Sequence, residues 1–208
     1  MYLQQNWEHL LQACGIEPAV GQQAFSALIT AYASAGRFYH TLNHIQAVLE
    51  SITSLCTLAR DLPALQFAAW FHDSIYDTHA ADNEERSADY AEILLKDLGV
   101  SSATIDTTKR LIVCTKDHQA TPDDSDCHIL LDADLAILGA SATHYDLYNK
   151  AIRREYAWVP EEDYRAGRAA ILRHFLQRKQ IYWTQPMFGT LEERARQNMQ
   201  AEIDQLTR

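Results

Sequence analysis

Leu65-Gln66-Phe67-Ala68-Ala69-Trp70-Phe71-His72-Asp73 is the stretch on which the reading of this chain turns. Its apolar positions are too continuous for an exposed strand and carry no alternation of period two, so the run is a buried helix entered through Pro63, which suits a first helical turn. It then stops on an imidazole and a carboxylate. Taking such groups out of water costs several kcal/mol on the order-of-magnitude scale for unpaired polar groups, unless hydrogen bonds or a metal compensate. Read alone, the doublet is a helix end where polarity resumes at the surface.

The same texture extends outward in both directions. Leu3, Trp7, Leu10, Leu11 and Cys14 form a helical stripe that Gly15 and Pro18 end, and Phe25, Leu28, Ile29 and Tyr32 form a second one up to Gly36. A third runs from about Thr41 to Ala59. Asp82-Asn83-Glu84-Glu85 has the pattern of a capping box, and the helix it opens stops at Gly99. A further segment covers about Ser101 to His118. After the acidic loop around Thr121-Pro122-Asp123-Asp124 comes the apolar segment from Cys127 to Leu138, with Asp132 and Asp134 set into it. Three more helices are expected near 141–157, 160–179 and 190–207, the last opened by Thr190-Leu191-Glu192-Glu193. With no internal repeat and no low-complexity linker, the reading is one all-α helical bundle spanning residues 1–208.

Composition narrows the function classes. The chain has 208 residues, enough for one core without disulfide support, and its 47% apolar and 22% charged residues are ordinary for a globular protein. A formal charge of −10 argues against a nucleic-acid polymer as partner, because that binding needs Lys and Arg to neutralise phosphates. Cys14, Cys56, Cys114 and Cys127 show no metal-type spacing and are expected as reduced core thiols. No stretch has the form of a signal peptide or a membrane span, which makes a cytoplasmic protein the expectation.

Two further polar residues stand in apolar helical text: His44, in Asn43-His44-Ile45-Gln46-Ala47-Val48-Leu49, and Asp134, in Leu131-Asp132-Ala133-Asp134-Leu135. With the doublet they make an ordered set: one His, a His-Asp pair, then a distant Asp. In this the chain resembles the HD superfamily of metal-dependent phosphohydrolases, over roughly residues 37–140, with the helices of 141–208 packing on that region. The resemblance implies a helical bundle of the HD type and one divalent metal ion held by His44, His72, Asp73 and Asp134. Two imidazoles and two carboxylates suit Mn, Fe, Co, Ni, Zn or Mg. Asp134 rather than Asp132 is the implied ligand because Ala133-Asp134-Leu135 matches the family pattern, which leaves Asp132 behind it or at the surface.

The resemblance also implies an acidic general acid or base after the doublet. Asp77 lies one turn beyond Asp73 if the helix continues, and Glu84 is the other candidate, beside Glu85 at a helix start. Arg37 and His40, next to two aromatics, and Lys116 and His118, at a helix end, are candidates for holding the substrate. His79, His118 and His128 would be the only further ligands for a second metal. The arginines at 153, 154, 165, 168, 173 and 178 read as a solvated face paired with Glu161, Glu162 and Asp163. The expected activity is hydrolysis of a small phosphate ester, a nucleotide or related phosphomonoester. The alternative is a sensor that binds metal and nucleotide without turnover. A ferritin-like di-iron bundle is excluded because no His has Glu three residues before it.

Overall fold

A computed structural model describes Tyr2–Arg208. Among these residues there are ten α-helices, three short 3-10 helices and no strand, so the all-α expectation holds. No helix of the described residues is long and apolar enough to cross a membrane. The chain divides into two compact units, residues 1–133 and 134–208.

In the first unit the helices are α1 (Tyr2–Ala13), α2 (Gln22–Tyr32), α3 (Leu42–Leu55), α4 (Leu62–Phe71), α5 (Asn83–Asp97), α6 (Ser102–Cys114) and α7 (Ser125–Asp134), whose last residue begins the second unit. The apolar run is the centre of the first. Ala64, Leu65 and every residue from Phe67 to Phe71 are buried, so α4 has no polar face and neighbours α1, α3, α5 and α6. Trp7 of α1 meets Phe67 and Trp70 edge-on, with ring centroids 5.9 and 5.6 Å apart, and Phe25 of α2 meets Trp70 at 5.9 Å. The polar ends of these rings are not stranded. The indole N–H of Trp70 donates to Asn6 Oδ1, and that of Trp7 to the Gly21 carbonyl.

Both ends of α4 are tied down. Asp61 caps its N-terminus by accepting from the Ala64 N–H at 3.0 Å. The buried carboxylate of Asp126, in the first turn of α7, accepts from the backbone N–H groups of Arg60 and Asp61 at 2.7 and 3.0 Å. Helices α4 and α7 thus start side by side, and both are 10 residues long.

Cys114 and Cys127 form a disulfide, with Cα atoms 6.8 Å apart, joining the end of α6 to α7. This corrects the expectation of four reduced core thiols, and Cys56 is exposed besides. The partners stand 13 positions apart in sequence, across the acidic loop, too far for any two-cysteine motif to announce them. Removing this cross-link frees the loop entropy of the unfolded chain. Cys114→Ser is therefore expected to destabilise the first unit by about 2–3 kcal/mol. Denaturant midpoints with and without a dithiol reductant check it: wild type should shift to the variant's midpoint on reduction, and a midpoint indifferent to both changes would exclude the cross-link.

The second unit contains a 3-10 segment (Leu135–Gly139), α8 (Ala142–Glu155), α9 (Glu161–Gln177) and α10 (Gln185–Leu206). Helix α10 begins five residues before the expected 190. Pro186 fits its first turn, and Thr190, the expected cap, lies inside the helix with its hydroxyl donating to the Pro186 carbonyl, while Glu192 accepts from the backbone N–H groups of Ile181 and Tyr182. The segment that follows Asp134 is held by α10. Arg194 donates to the Gly139 carbonyl, and Asn198 Nδ2 donates to the carbonyls of Leu138 and Ala140 at 2.8 and 2.9 Å. The approach is close enough that a Cβ on Gly139 would stand 2.9 Å from the Leu191 carbonyl oxygen, so only glycine fits there.

The arginines are not one solvated face. Arg153 does pair with Glu161, but Arg165 donates to the Leu206 carbonyl and Arg168 is largely buried against Glu202.

Candidate metal centre

Helix α4 ends at Phe71, and His72 is its C-cap, so the doublet is a helix end in the literal sense. It is also buried. His72 is 2% exposed, and its Nδ1 is 3.0 Å from the Ala69 carbonyl, which accepts from that nitrogen and leaves Nε2 with its lone pair facing inward. His44, on the first turn of α3 and 4% exposed, places its own Nε2 3.2 Å from that of His72. Two imidazole nitrogens so close, one carrying a lone pair, require a shared proton or a shared cation between them.

Asp73 completes the geometry. Its Oδ2 lies 3.2 Å from His72 Nε2 and 3.7 Å from His44 Nε2. Donors bound to one ion at roughly 2.1 Å stand about 3.0 Å apart in octahedral and about 3.4 Å apart in tetrahedral arrangement. The two 3.2 Å edges fall between those values, and the 3.7 Å edge is slightly longer than both. Adjacent helical residues diverge too widely to share an ion easily, but Asp73 lies past the helix and its carboxylate turns back to the His72 ring. Burial acts most strongly on its carboxyl and pushes the pKa up, but the imidazoles of His72, His40 and His44 outweigh it and hold the group well below the usual carboxylate range. It is ionised at neutral pH, the form a metal needs.

Asp134, the last residue of α7, joins from the third helix. One ligand atom each from His44, His72 and Asp134 lie within 4.8 Å of one another, a group able to hold a metal ion. Asp132, two residues earlier, is fully buried, which removes the surface placement open to it in sequence. His79 and His128 do not join the group. The first is exposed beside Asp77, and the second has Nε2 2.9 Å from the Thr121 carbonyl.

Around the ligands the candidates separate. His40 stands just outside α3, preceding Thr41 at the N-cap, with its Nε2 4.0 Å from Asp73 Oδ2. Its ring packs on that of Tyr76 at 4.3 Å, and Tyr39 packs on His44 at 4.8 Å. Arg37 points its guanidinium at backbone carbonyls of both segments, His40 and Asp73 among them.

Asp77 is not one turn beyond Asp73. The helix has ended, and Asp77 sits in an exposed loop with its backbone held by Asn83. The N–H of His79 is the main influence lowering its carboxyl pKa. Glu84 is in the first turn of α5, but Asp82, at the N-cap, makes no side-chain cap and faces Arg86 instead. Lys116 lies beyond α6, whose last residue is Cys114, with its ammonium 2.5 Å from Glu85 Oε1. The other oxygen, Glu85 Oε2, is buried with no hydrogen-bond partner among the described residues. His118 adopts a positive φ of 49° in the turn after Lys116.

Two contributors had no signal in sequence. Tyr76 supplies the ring under His40. Ser87 Oγ accepts from the Ile75 N–H at 3.0 Å and donates to the Ile75 carbonyl at 3.2 Å, fastening α5 to the turn after the doublet. A serine inside a helix carries no motif.

Comparison with family models, curated proteins and solved structures yielded no match to this chain.

Proposed function

We propose that this chain is a metal-dependent phosphohydrolase of the HD type, acting on a small phosphate ester such as a nucleotide. The observation that carries the reading is the convergence of His44 Nε2, His72 Nε2 and Asp73 Oδ2 with edges of 3.2–3.7 Å, and of Asp134 on the same histidines. These four side chains would hold one divalent ion. When bound, such an ion polarises a phosphoryl oxygen and makes a water nucleophilic at neutral pH.

The chain's own part in the chemistry is geometric and electrostatic. The Ala69 carbonyl orients the His72 ring, and burial keeps both histidine donors dry. Asp73 brings the negative charge that two neutral imidazoles lack. His40 is one-fifth exposed at the edge of the ligand set, where its ring nitrogen can meet a phosphoryl oxygen. Asp77 and Glu84, which follow the doublet in sequence, are the candidates for proton transfer. Asp77, held ionised by the His79 N–H, is suited to accept a proton rather than to supply one.

The test is a panel of nucleoside monophosphates, nucleoside triphosphates and phosphodiesters, incubated with protein loaded in turn with Mn, Co, Ni or Mg. Turnover of at least one ester that disappears on chelation and returns on reloading is the expected result. Tight nucleotide binding without turnover would assign the chain to a sensor instead, and neither binding nor turnover would remove the phosphohydrolase reading.

A further inference from the structure

Arg37 makes four directed contacts beside the ligand set. Nη1 donates to the carbonyl of His40 at 3.1 Å and to that of Asp73 at 2.8 Å, Nη2 to the carbonyl of Ser74 at 3.1 Å, and Nε to Ser34 Oγ at 3.1 Å. The guanidinium carbon lies 5.1 Å from the ring centre of Tyr32 and 5.2 Å from that of Tyr76. Tyr32 is itself fixed, buried with its hydroxyl donating to the Trp70 carbonyl at 2.9 Å. One planar fork therefore spans two segments distant in sequence: the loop that leads into α3 and the turn that follows α4.

We propose that Arg37 is a positioning residue of the metal centre, setting the spacing of His44 and Asp73 by locking the backbone that carries each of them. The inference rests on the metal-site reading above. Its logic is local. Holding the Asp73 carbonyl fixes the peptide plane beyond its Cα, and holding the Ser74 carbonyl fixes the next plane, so Asp73 keeps little freedom beyond its own side-chain rotation. Holding the His40 carbonyl fixes the loop one step before Thr41, and His44 sits in the first turn after it. Carbonyls past a helix C-terminus have no amide partner within the helix, and a cation is the favoured group to satisfy them. Lysine could not take over the task. Its single ammonium lacks the flat fork that serves three carbonyls while packing between two rings.

The role differs from that of a phosphate-binding arginine, and the experiment separates them. Arg37→Lys and Arg37→Ala are compared with wild type for Co(II) affinity by calorimetry and for the visible absorption of the bound Co(II), with helical content followed by circular dichroism. Arg153→Lys, in the second unit, is the control. Both Arg37 variants should keep wild-type helicity, bind Co(II) roughly 10–100-fold more weakly and show a shifted Co(II) spectrum, the range expected when a group behind a ligand is lost. The lysine variant keeps the test readable if the alanine variant does not fold. Unchanged affinity and spectrum in Arg37→Lys, with wild type binding Co(II), overturns the positioning role alone. That result paired with a raised KM would make Arg37 a substrate contact. A wild-type chain that takes up no ion overturns the metal reading and the role given to Arg37 with it.

Discussion

His72→Ala is expected to reduce bound metal from one ion per chain to a trace and to weaken affinity by two decades or more. The estimate follows from the geometry. Losing a partner behind a ligand costs roughly 10–100-fold, and losing the ligand itself costs at least the upper end of that range. His72 approaches two other members of the set closely, with its Nε2 3.2 Å from His44 Nε2 and 3.2 Å from Asp73 Oδ2. Its removal takes away the donor that stands between them. Metal content after reconstitution and dialysis, measured by mass spectrometry, gives the answer, with circular dichroism to confirm that the helices persist. His79→Ala is the matched control, since that imidazole is exposed and paired with Asp77. A His72→Ala protein that retains one ion per chain would sink the assignment of His72 to the metal centre.

How far the centre was legible in sequence depends on which physical signal carried each residue. His44, His72 and Asp134 stood out because they interrupt apolar helical text, and a polar group there requires compensation. The structure puts those three together. The placement of Asp77 one helical turn beyond Asp73 did not hold, because periodicity says nothing about where a fully apolar helix stops: α4 ends at Phe71, and the turn beyond it takes Asp77 into an exposed loop. The two capping boxes failed for a related reason. Asp82 does stand at the N-cap of α5 but faces Arg86 instead of capping it, and Thr190 lies inside α10, which already starts at Gln185. Arg168 was invisible as a buried group because its partner lies on another helix. Pairings made through space, the disulfide included, leave no periodic trace in one chain.

That buried pair carries the largest expected effect on stability. Arg168 of α9 donates through Nε and Nη2 to the two carboxylate oxygens of Glu202 of α10, at 2.8 and 3.2 Å, and the hydroxyl of Tyr145 of α8 donates to the same carboxylate at 2.6 Å. The side chains of Arg168 and Glu202 are 10% and 6% exposed. Burial and the neighbouring carboxylate push the Tyr145 hydroxyl pKa far above its usual range, so it remains a donor. All three helices of the second unit meet at one charge. Glu202→Ala should cost about 3–5 kcal/mol, because it leaves a guanidinium dry and uncompensated, which is worse than never having buried it. Urea denaturation monitored by circular dichroism measures the loss, and a change below about 1 kcal/mol would mean that solvent reaches the arginine and screens it. The companion variant distinguishes pairing from packing. Arg168→Met, Glu202→Leu and Tyr145→Phe combined remove the charges and the hydroxyl together while keeping most of the volume. They should recover most of the stability that Glu202→Ala alone destroys, since a matched apolar cluster needs no desolvated charge to be satisfied. If the triple variant is as unstable as the single one, the three helices are held by the shape of these side chains and the ion pair contributes little.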